Sequence, residues 1–524
     1  MSEDARVTKA AGIVGAATLL SRILGFVRDV VVAWFFGAGP AADAFFVAFR
    51  IPNLLRRLFA EGSLTISFIP VFTEHFYKHG RDDAFKLARS AWWLLAMILV
   101  VVTVLGVLLS PLIVRVIAPG FFSSPEKFDL TVLLTRIMFP YIFFIGLVAL
   151  AMGILNGLGH FAAPALAPVL LNVAMIGSVL LLSPCLSEPS IGLAIGVIVG
   201  GGLQLGLQIP FMIQKGFHLL VKSPLYHAAV KRIALLMTPA VFGAAVYQIN
   251  ILVGTLLASL LPEGSVSYLY YADRLVQFPL GVFAIALATA VLPSLSRQAA
   301  TGDMEGLRAS FSYALKLVFF ISIPAMTGLI ILREPIVQLL FQRGAFDPDT
   351  TRLTAEALLY YAIGLWAFSG VRIAVATFYA LQDTKTPVKI AVISLLVNIA
   401  LSVLLMGPMR HGGLALATSL SSGVNLVLLI CALKKRLGRI GARDMVRSVL
   451  KSTASAVVMG GVIALVALWA VPICGQSPWY LVAWVLGGVV GGSVIYGGCA
   501  SLFKCREVGT IINIVRAGIG KKHG

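Results

Sequence analysis

Apolar runs of about 20 residues or more recur about fourteen times along this chain of 524 residues, and that recurrence decides what it can fold into. About 20 helical residues cross the hydrocarbon core of a bilayer. Inside lipid every backbone N–H and C=O needs a partner within the protein, so only helices and closed barrels persist there. Barrel strands need only about 9–11 residues, so runs of this length read as helices. The predicted spans are 10–36, 41–73, 88–117, 130–157, 163–183, 191–214, 231–261, 267–297, 308–340, 353–381, 387–407, 413–433, 450–472 and 480–503. Charges interrupt the second and the eighth. The expected fold is therefore an all-α polytopic membrane protein. Its charged fraction of 12% is half the roughly 25% of soluble domains.

The formal charge of +19 does not point to nucleic acid, because most Lys and Arg lie in short loops between the apolar runs. Placing the N-terminus in the cytoplasm leaves 27 of the 41 Lys and Arg on that side and seven outside, span ends counted with the side they flank, with seven read at membrane depth. That asymmetry is the positive-inside pattern. It puts both termini in the cytoplasm and favours an even number of helices. Five cysteines show no Cys-x-x-Cys pair and no accompanying histidine set, so neither a disulfide framework nor a zinc site is expected. The stretch from about Ala10 to Phe36 is too long for the core of a cleaved leader and carries Arg22 and Arg28; it reads as a first membrane helix.

The chain repeats itself. Pro70 in IPVFTEHF matches Pro293 in LPSLSRQA, and Pro52 matches Pro279. SPLIVRVIAPGFF matches EPIVQLLFQRGAF, pairing Pro111 with Pro335 and Gly120 with Gly344. The glycine-led segment from Gly192 matches that from Gly413. All offsets fall between 221 and 227 residues. Helices 1–6 thus resemble helices 7–12, and an even repeat unit gives both copies the same topology. Two pseudo-symmetric six-helix lobes follow, related by an axis along the membrane normal with a cleft between them. The expected division is 1–222 for the N-lobe, 223–436 for the C-lobe, and 437–524 for a basic linker, helices 13 and 14 and a cytoplasmic tail. The linker's cations, from Lys434 to Lys451, suit anionic headgroups.

Seven arginines are read as lying at membrane depth: Arg22, Arg28, Arg50, Arg56, Arg57, Arg274 and Arg372. The acids read with them are four: Asp29, Asp43, Glu61 and Asp273. A charge at mid-membrane costs about 2.5–3.5 kcal/mol on insertion scales, so it persists only where it faces protein or a wet cavity. The positive excess suits an anion, and arginine's planar fork suits phosphate. Asp29 lies seven residues after Arg22 on one helical face with Gly25 between them, while Arg28 points about 120° away on a straight helix. A bend near Gly25 would gather both. Arg57 and Glu61, four apart, can pair across one turn. Arg56 and Arg274 sit on matching helices of the two copies. Arg50, Arg57 and Arg372 serve equally well as cations at helix ends.

Other candidates are weaker. Gln248 and Asn250 lie in helix 7, and Asp383 lies in LQDTKTP, where capping a turn is its ordinary role. His160, His218 and His227 read as solvated loop residues. No phosphate-binding glycine loop, catalytic triad spacing or metal-ligand cluster is visible, so an ATP-driven pump, a membrane enzyme and a resident cofactor or metal are not expected.

SRILGFVRD at 21–29, DAFFVAFRIPNLLRRLFAEG at 43–62, SYLYYADRLVQFPLGV at 267–282 and QDTKTPVKIA at 382–391 resemble the MurJ (MviN) family of bacterial lipid II flippases. That family lies in the multidrug/oligosaccharidyl-lipid/polysaccharide exporter superfamily. The similarity extends over nearly the whole chain. It implies a fourteen-helix inner-membrane transporter, not an enzyme. Its substrate would be the undecaprenyl-pyrophosphate-linked peptidoglycan precursor, moved to the outer leaflet by alternating access. The resemblance assigns substrate-binding roles to Arg22, Arg28, Arg56, Arg274, Asp29, Asp43 and Asp273, and a gate to Arg57 and Glu61. It places a cation loosely near Asn250 and Asp383, and a lipid-tail groove on helices 13 and 14. Gln277 stands where some members carry glutamate, so a proton-carrying role there is not expected. Sodium, protons or membrane potential are the coupling candidates; membrane lipids and cell-wall synthesis proteins are the further partners. The competing readings are a flippase for another polyprenyl-pyrophosphate oligosaccharide, a cation-coupled drug exporter of the same fold, and a non-transporting scaffold. The exporter would carry buried acids in excess, and the scaffold would not need arginines on matching helices.

Overall fold

The computed structural model describes residues 3–57, 64–221, 227–438, 440–470 and 478–509. No strand occurs among them. The described residues of the predicted spans are helical apart from short breaks. The chain forms two compact units, Met1–Ser267 with Arg343–Phe346, and Tyr268–Gln342 with Asp347–Gly524.

The first unit opens with α1 (Glu3–Phe36), α2 (Pro40–Leu55), α3 (Leu64–Lys78), α4 (Arg81–Leu108) and α5 (Ser110–Ile117). It continues with α6 (Pro125–Met138), α7 (Tyr141–Gly157), α8 (Ala162–Leu181), α9 (Pro189–Gln214) and α10 (Ala228–Ser259). Helix α8 packs along α9 and α1, α7 packs against α9, α3 and α4, and α2 lies on α6. Helix α10 packs against α3 and joins this unit, although it opens the second sequence repeat.

The second unit holds α11 (Ser265–Pro279), α12 (Ala286–Ala300), α13 (Met304–Ile331), α14 (Arg333–Phe341) and α15 (Pro348–Ile363). It ends with α16 (Leu365–Ala380), α17 (Lys385–Leu437), α18 (Ala442–Ala470) and α19 (Pro478–Leu502). Its core gathers Phe311, Leu315, Phe378, Leu429 and Leu433, each at most 1% exposed. Helix α13 packs on α16 and α18, and α18 on α19.

By length and apolarity, nine described helical stretches can cross a membrane, or ten when α15 and α16, bent by 43°, count as one span. Predicted spans 10–36, 41–73 and 231–261 are not among these. The first carries Arg22, Arg28 and Asp29 in its midst. The second crosses residues 58–63, which lie outside the described residues. The third has a shorter apolar helix, Ala245–Ser259. Two predicted spans, 387–407 and 413–433, run into one another in α17 across a break at Arg410, where φ is 49° and ψ −130°.

The repeat has a physical counterpart in a pair of glycine contacts. Gly120 packs on the end of α10: its N–H donates to Ser259 Oγ at 3.2 Å, and a Cβ built there would lie 2.0 Å from the Ser259 carbonyl oxygen. Gly344, its repeat partner, packs on the end of α1: a Cβ would lie 2.4 Å from the Trp34 carbonyl oxygen. Next to it, Ala345 N–H donates to Trp34 O at 2.9 Å. Each repeat's glycine turn therefore abuts the end of the other repeat's first helix. Gly344 also holds φ +57°, the left-handed region that side chains avoid. Gly344→Ala meets both obstacles and is expected to destabilise the protein by about 1–3 kcal/mol. A lowered unfolding midpoint in detergent, against Gly80→Ala, checks this. Gly80 also has positive φ but has open space where its Cβ would go.

Candidate functional site

Helix α1 runs unbroken through Gly25. A Cβ built on Gly25 would meet the Asn172 side chain of α8 at 3.6 Å, ordinary contact distance. Asn172 then reaches two groups of α1. Its Nδ2 donates to Ser21 O at 3.1 Å, and its Oδ1 accepts from Arg28 Nη1 at 3.1 Å. Arg28 also donates from Nη2 and Nε to Asp29 Oδ1, at 2.7 and 3.1 Å. Arg28 is 8% exposed and Asp29 3%. A guanidinium this enclosed persists because the carboxylate beside it offsets its charge. The pair also fixes the fork, which lowers the ordering cost of binding an anion. Arg22, six residues earlier, is exposed, so the structure does not bring it into that cluster.

Helix α2 carries the next set. Pro52 cannot donate in the ladder, and a wide π turn follows at 56–57. Arg56 lies in that turn, half-buried, with Nε and Nη2 donating to Asn53 Oδ1 at 3.1 and 3.0 Å. Arg57 shares the turn and is half-buried, as is Arg50. Glu61, the expected gate partner of Arg57, lies outside the described residues.

Asp43, at the start of α2, has a different setting. It is 1% exposed. Oδ2 accepts from Lys127 Nζ at 2.7 Å and Gly264 N–H at 2.9 Å; Oδ1 accepts from Ser267 Oγ at 2.7 Å and Ser267 N–H at 3.0 Å. Lys127 itself is 9% exposed and sits 4.2 Å from the centroid of the Phe121 ring. Four donors occupy this carboxylate, which ties α2 to α6 and to the turn between α10 and α11. That is the arrangement of an anchor between helices. Lys127 is its buried counter-ion.

In the second unit, α11 repeats the pattern of α2. Pro279 ends it, and a π-helical turn follows at Leu280–Ile285. π turns inside helices are frequent at functional sites. Upstream, the half-buried Arg274 donates from Nη2 and Nε to Tyr270 Oη at 3.0 and 3.3 Å, with its guanidinium carbon 5.1 Å from that ring's centroid. Gln277 donates from Nε2 to Asp273 Oδ2. The Gln277 amide therefore satisfies the neighbouring acid. Arg372 is exposed on α16.

The weak cation candidates fall in different units, Asn250 in the first and Asp383 in the second. Asp383 caps the turn into α17. It accepts from Thr386 N–H at 3.0 Å and Thr386 Oγ1 at 2.8 Å, and from Arg436 Nη1 at 2.8 Å. The backbone N–H of Thr386 is the main cause holding its carboxyl below the usual range.

Sequence reasoning missed Asn172, Asn53 and Tyr270, the three neutral side chains that orient the arginines. Asn172 had a signal: it is the one amide in the apolar run of α8. Asn53 and Tyr270 lie three and four residues before their arginines, a spacing that places them one turn away.

The family model for the lipid II flippase MurJ matches residues 32–487 of this chain. A probable lipid II flippase MurJ from Vibrio cholerae is 41% identical over 471 residues, covering 88% of this chain and 89% of its own. Among solved structures, a lipid II flippase MurJ in an inward closed conformation superposes with a TM-score of 0.78 at 29% identity. The match covers 94% of this chain and 98% of that one. An inward-facing MATE-family multidrug transporter of the MOP superfamily superposes at 0.69 with 16% identity, covering 82% and 98%, a likeness of fold alone.

Proposed function

This chain belongs to the MurJ family of lipid II flippases, and from that premise we propose that it moves the undecaprenyl-pyrophosphate-linked peptidoglycan precursor across the bacterial inner membrane. It is a multi-pass membrane transporter, not an enzyme. The precursor passes from the cytoplasmic to the periplasmic leaflet by alternating access, with both chain termini in the cytoplasm. The observation that carries this reading is the buried Arg28, held by Asp29 and Asn172 inside a chain whose helices otherwise suit lipid.

The pyrophosphate is the part of the substrate that resists the membrane. Two phosphates leaving water need charge-assisted hydrogen bonds to replace their hydration. Arg28, Arg56 and Arg274 are the donors we assign, with Arg22 as a further, exposed cation. Each of the three inner arginines already rests on a neutral or acidic acceptor, so each stays solvated by protein while no substrate is bound. Asp29 and Asp273 moderate the charge, so that the headgroup is bound and then released. Arg57 with Glu61 is assigned as a gate.

The polyprenyl tail needs an apolar surface that stays in lipid. Helices α18 and α19 offer one: Val457, Leu465, Leu486, Val490 and Val494 are all more than half exposed. Coupling to membrane potential fits a charged headgroup, because one charge crossing the field is worth about 2.3 kcal/mol per 100 mV. Sodium or proton coupling remains the competing source. Cell-wall synthesis proteins are the further partners we assign to a transporter of this cargo.

Complementation of a bacterium depleted of its lipid II flippase tests the substrate. We expect this chain to restore growth and the access of an external probe to labelled lipid II. Correct insertion with no rescue would instead favour another polyprenyl-pyrophosphate-linked oligosaccharide.

A further inference from the structure

We propose that His75, Asp83 and His227 form a site for a divalent transition-metal ion of the zinc, cobalt or nickel class. The three come from separate elements of the first unit: the last turn of α3, the first turn of α4, and the residue that caps α10. His75 Nδ1 lies 2.6 Å from Asp83 Oδ2, and His227 Nε2 lies 3.4 Å from Asp83 Oδ1. All the offered ligand atoms lie within 4.8 Å of one another. The two imidazole side chains are each 16% exposed and the carboxylate 33%, so the site is sheltered yet open on one side. The ring centroids of His75 and His227 are 5.2 Å apart at 80°, which lets two nitrogens converge on one point without stacking.

Zinc bound tetrahedrally holds nitrogen and oxygen ligands at about 2.0–2.2 Å, which sets ligand atoms about 3.3 Å apart. The two histidine-to-carboxylate separations, 2.6 Å to Oδ2 and 3.4 Å to Oδ1, lie on either side of that value. Two imidazoles and one carboxylate favour zinc-like ions over magnesium or calcium, which take oxygen ligands. The fourth position is left to water from the open side.

Without metal, Asp83 accepts from both histidines. Metal takes the place of the ring proton that faces the carboxylate on each histidine, and each neutral ring then carries its one proton on its other nitrogen. His227 makes one adjustment. Its Nδ1 now accepts from Ala229 N–H at 3.2 Å. With Nε2 on the metal, Nδ1 carries the proton and gives up that hydrogen bond.

The site sits where α10 is fastened to the α3–α4 corner. Glu74, one residue before His75, pairs with Arg232 of α10 at 2.9 Å. Arg81 donates to the Lys215 carbonyl at the end of α9. A bound ion thus adds a clasp between the first repeat and the first helix of the second.

Tag-free full-length protein in detergent, titrated with zinc against a chromogenic chelator, tests the proposal, and the absorption spectrum of the cobalt form reports coordination number. We expect one ion per chain, a tetrahedral cobalt band, and affinity weakened about tenfold or more by His75→Ala or His227→Asn. Asparagine keeps a capping side chain at 227, so a loss there cannot be assigned to unfolding of α10. His160→Ala should change nothing. Wild-type binding no tighter than that of the His75→Ala/His227→Asn double variant, or a cobalt spectrum unchanged in that variant, would overturn the site.

Discussion

Arg28→Ala is expected to abolish transport. The guanidinium is the most enclosed of the four candidate arginines, and a hydrogen bond to a charged group is worth about 1.5–3 kcal/mol. That is about 10- to 150-fold per bond in transport rate, and a pyrophosphate engages more than one. The same substitution also leaves Asp29, 3% exposed, without its counter-charge. Breaking a buried pair on one side costs about 3–5 kcal/mol of stability. The two effects separate in three variants. Arg28→Lys keeps the charge but loses the fork that spans Asp29 and Asn172, and should retain stability with little transport. Arg28→Ala/Asp29→Ala removes both charges, and should recover most of the lost stability while remaining inactive. Asn172→Ala should reduce transport less than either. Lipid II exposure in the depleted strain, read beside the detergent unfolding midpoint, checks all three. Transport restored by the double variant would mean that Arg28 serves the fold and not the substrate.

The sequence made the architecture legible where the physics is collective. Twenty-residue apolar runs average over many residues, and the described residues of those runs are helical. The repeat even anticipates a contact. Gly120 and Gly344 matched at an offset of 224 residues because each must let a backbone approach the end of the other repeat's first helix. Individual polar contacts were less legible. Asp43 looked like a member of the charged set on α2, yet its partners are Lys127, Gly264 and Ser267, between 84 and 224 residues away. Nothing local distinguishes an acid presented to a ligand from one saturated by donors from other helices. The same holds for His227, read as a solvated loop residue, whose neighbours His75 and Asp83 lie on helices that the chain reaches well over a hundred residues earlier. Arg22 shows the opposite failure. Its depth along α1 was legible, but burial depends on what packs beside it, and α8 covers Arg28 and not Arg22.

Asp43→Ala should be the most destabilising single substitution among the charged positions of α2. The carboxylate neutralises Lys127, which is 9% exposed and held 2.7 Å away. Removing it strands a buried ammonium, a loss of about 3–5 kcal/mol. Two backbone donors, Gly264 N–H and Ser267 N–H, lose their acceptor as well, and an unsatisfied buried donor costs about 1–3 kcal/mol. Asp43→Asn keeps the shape and one acceptor oxygen, so it should lie between wild type and alanine. Lys127→Met in the Asp43→Ala background removes the stranded charge and should return part of the stability. The unfolding midpoint and the yield of inserted protein measure the series. If Asp43 instead serves the substrate directly, Asp43→Asn would lose transport at an unchanged midpoint. The present arrangement predicts that transport in this series follows the amount of folded protein, because the anchor holds α2, and with it Arg56, at the register the headgroup requires.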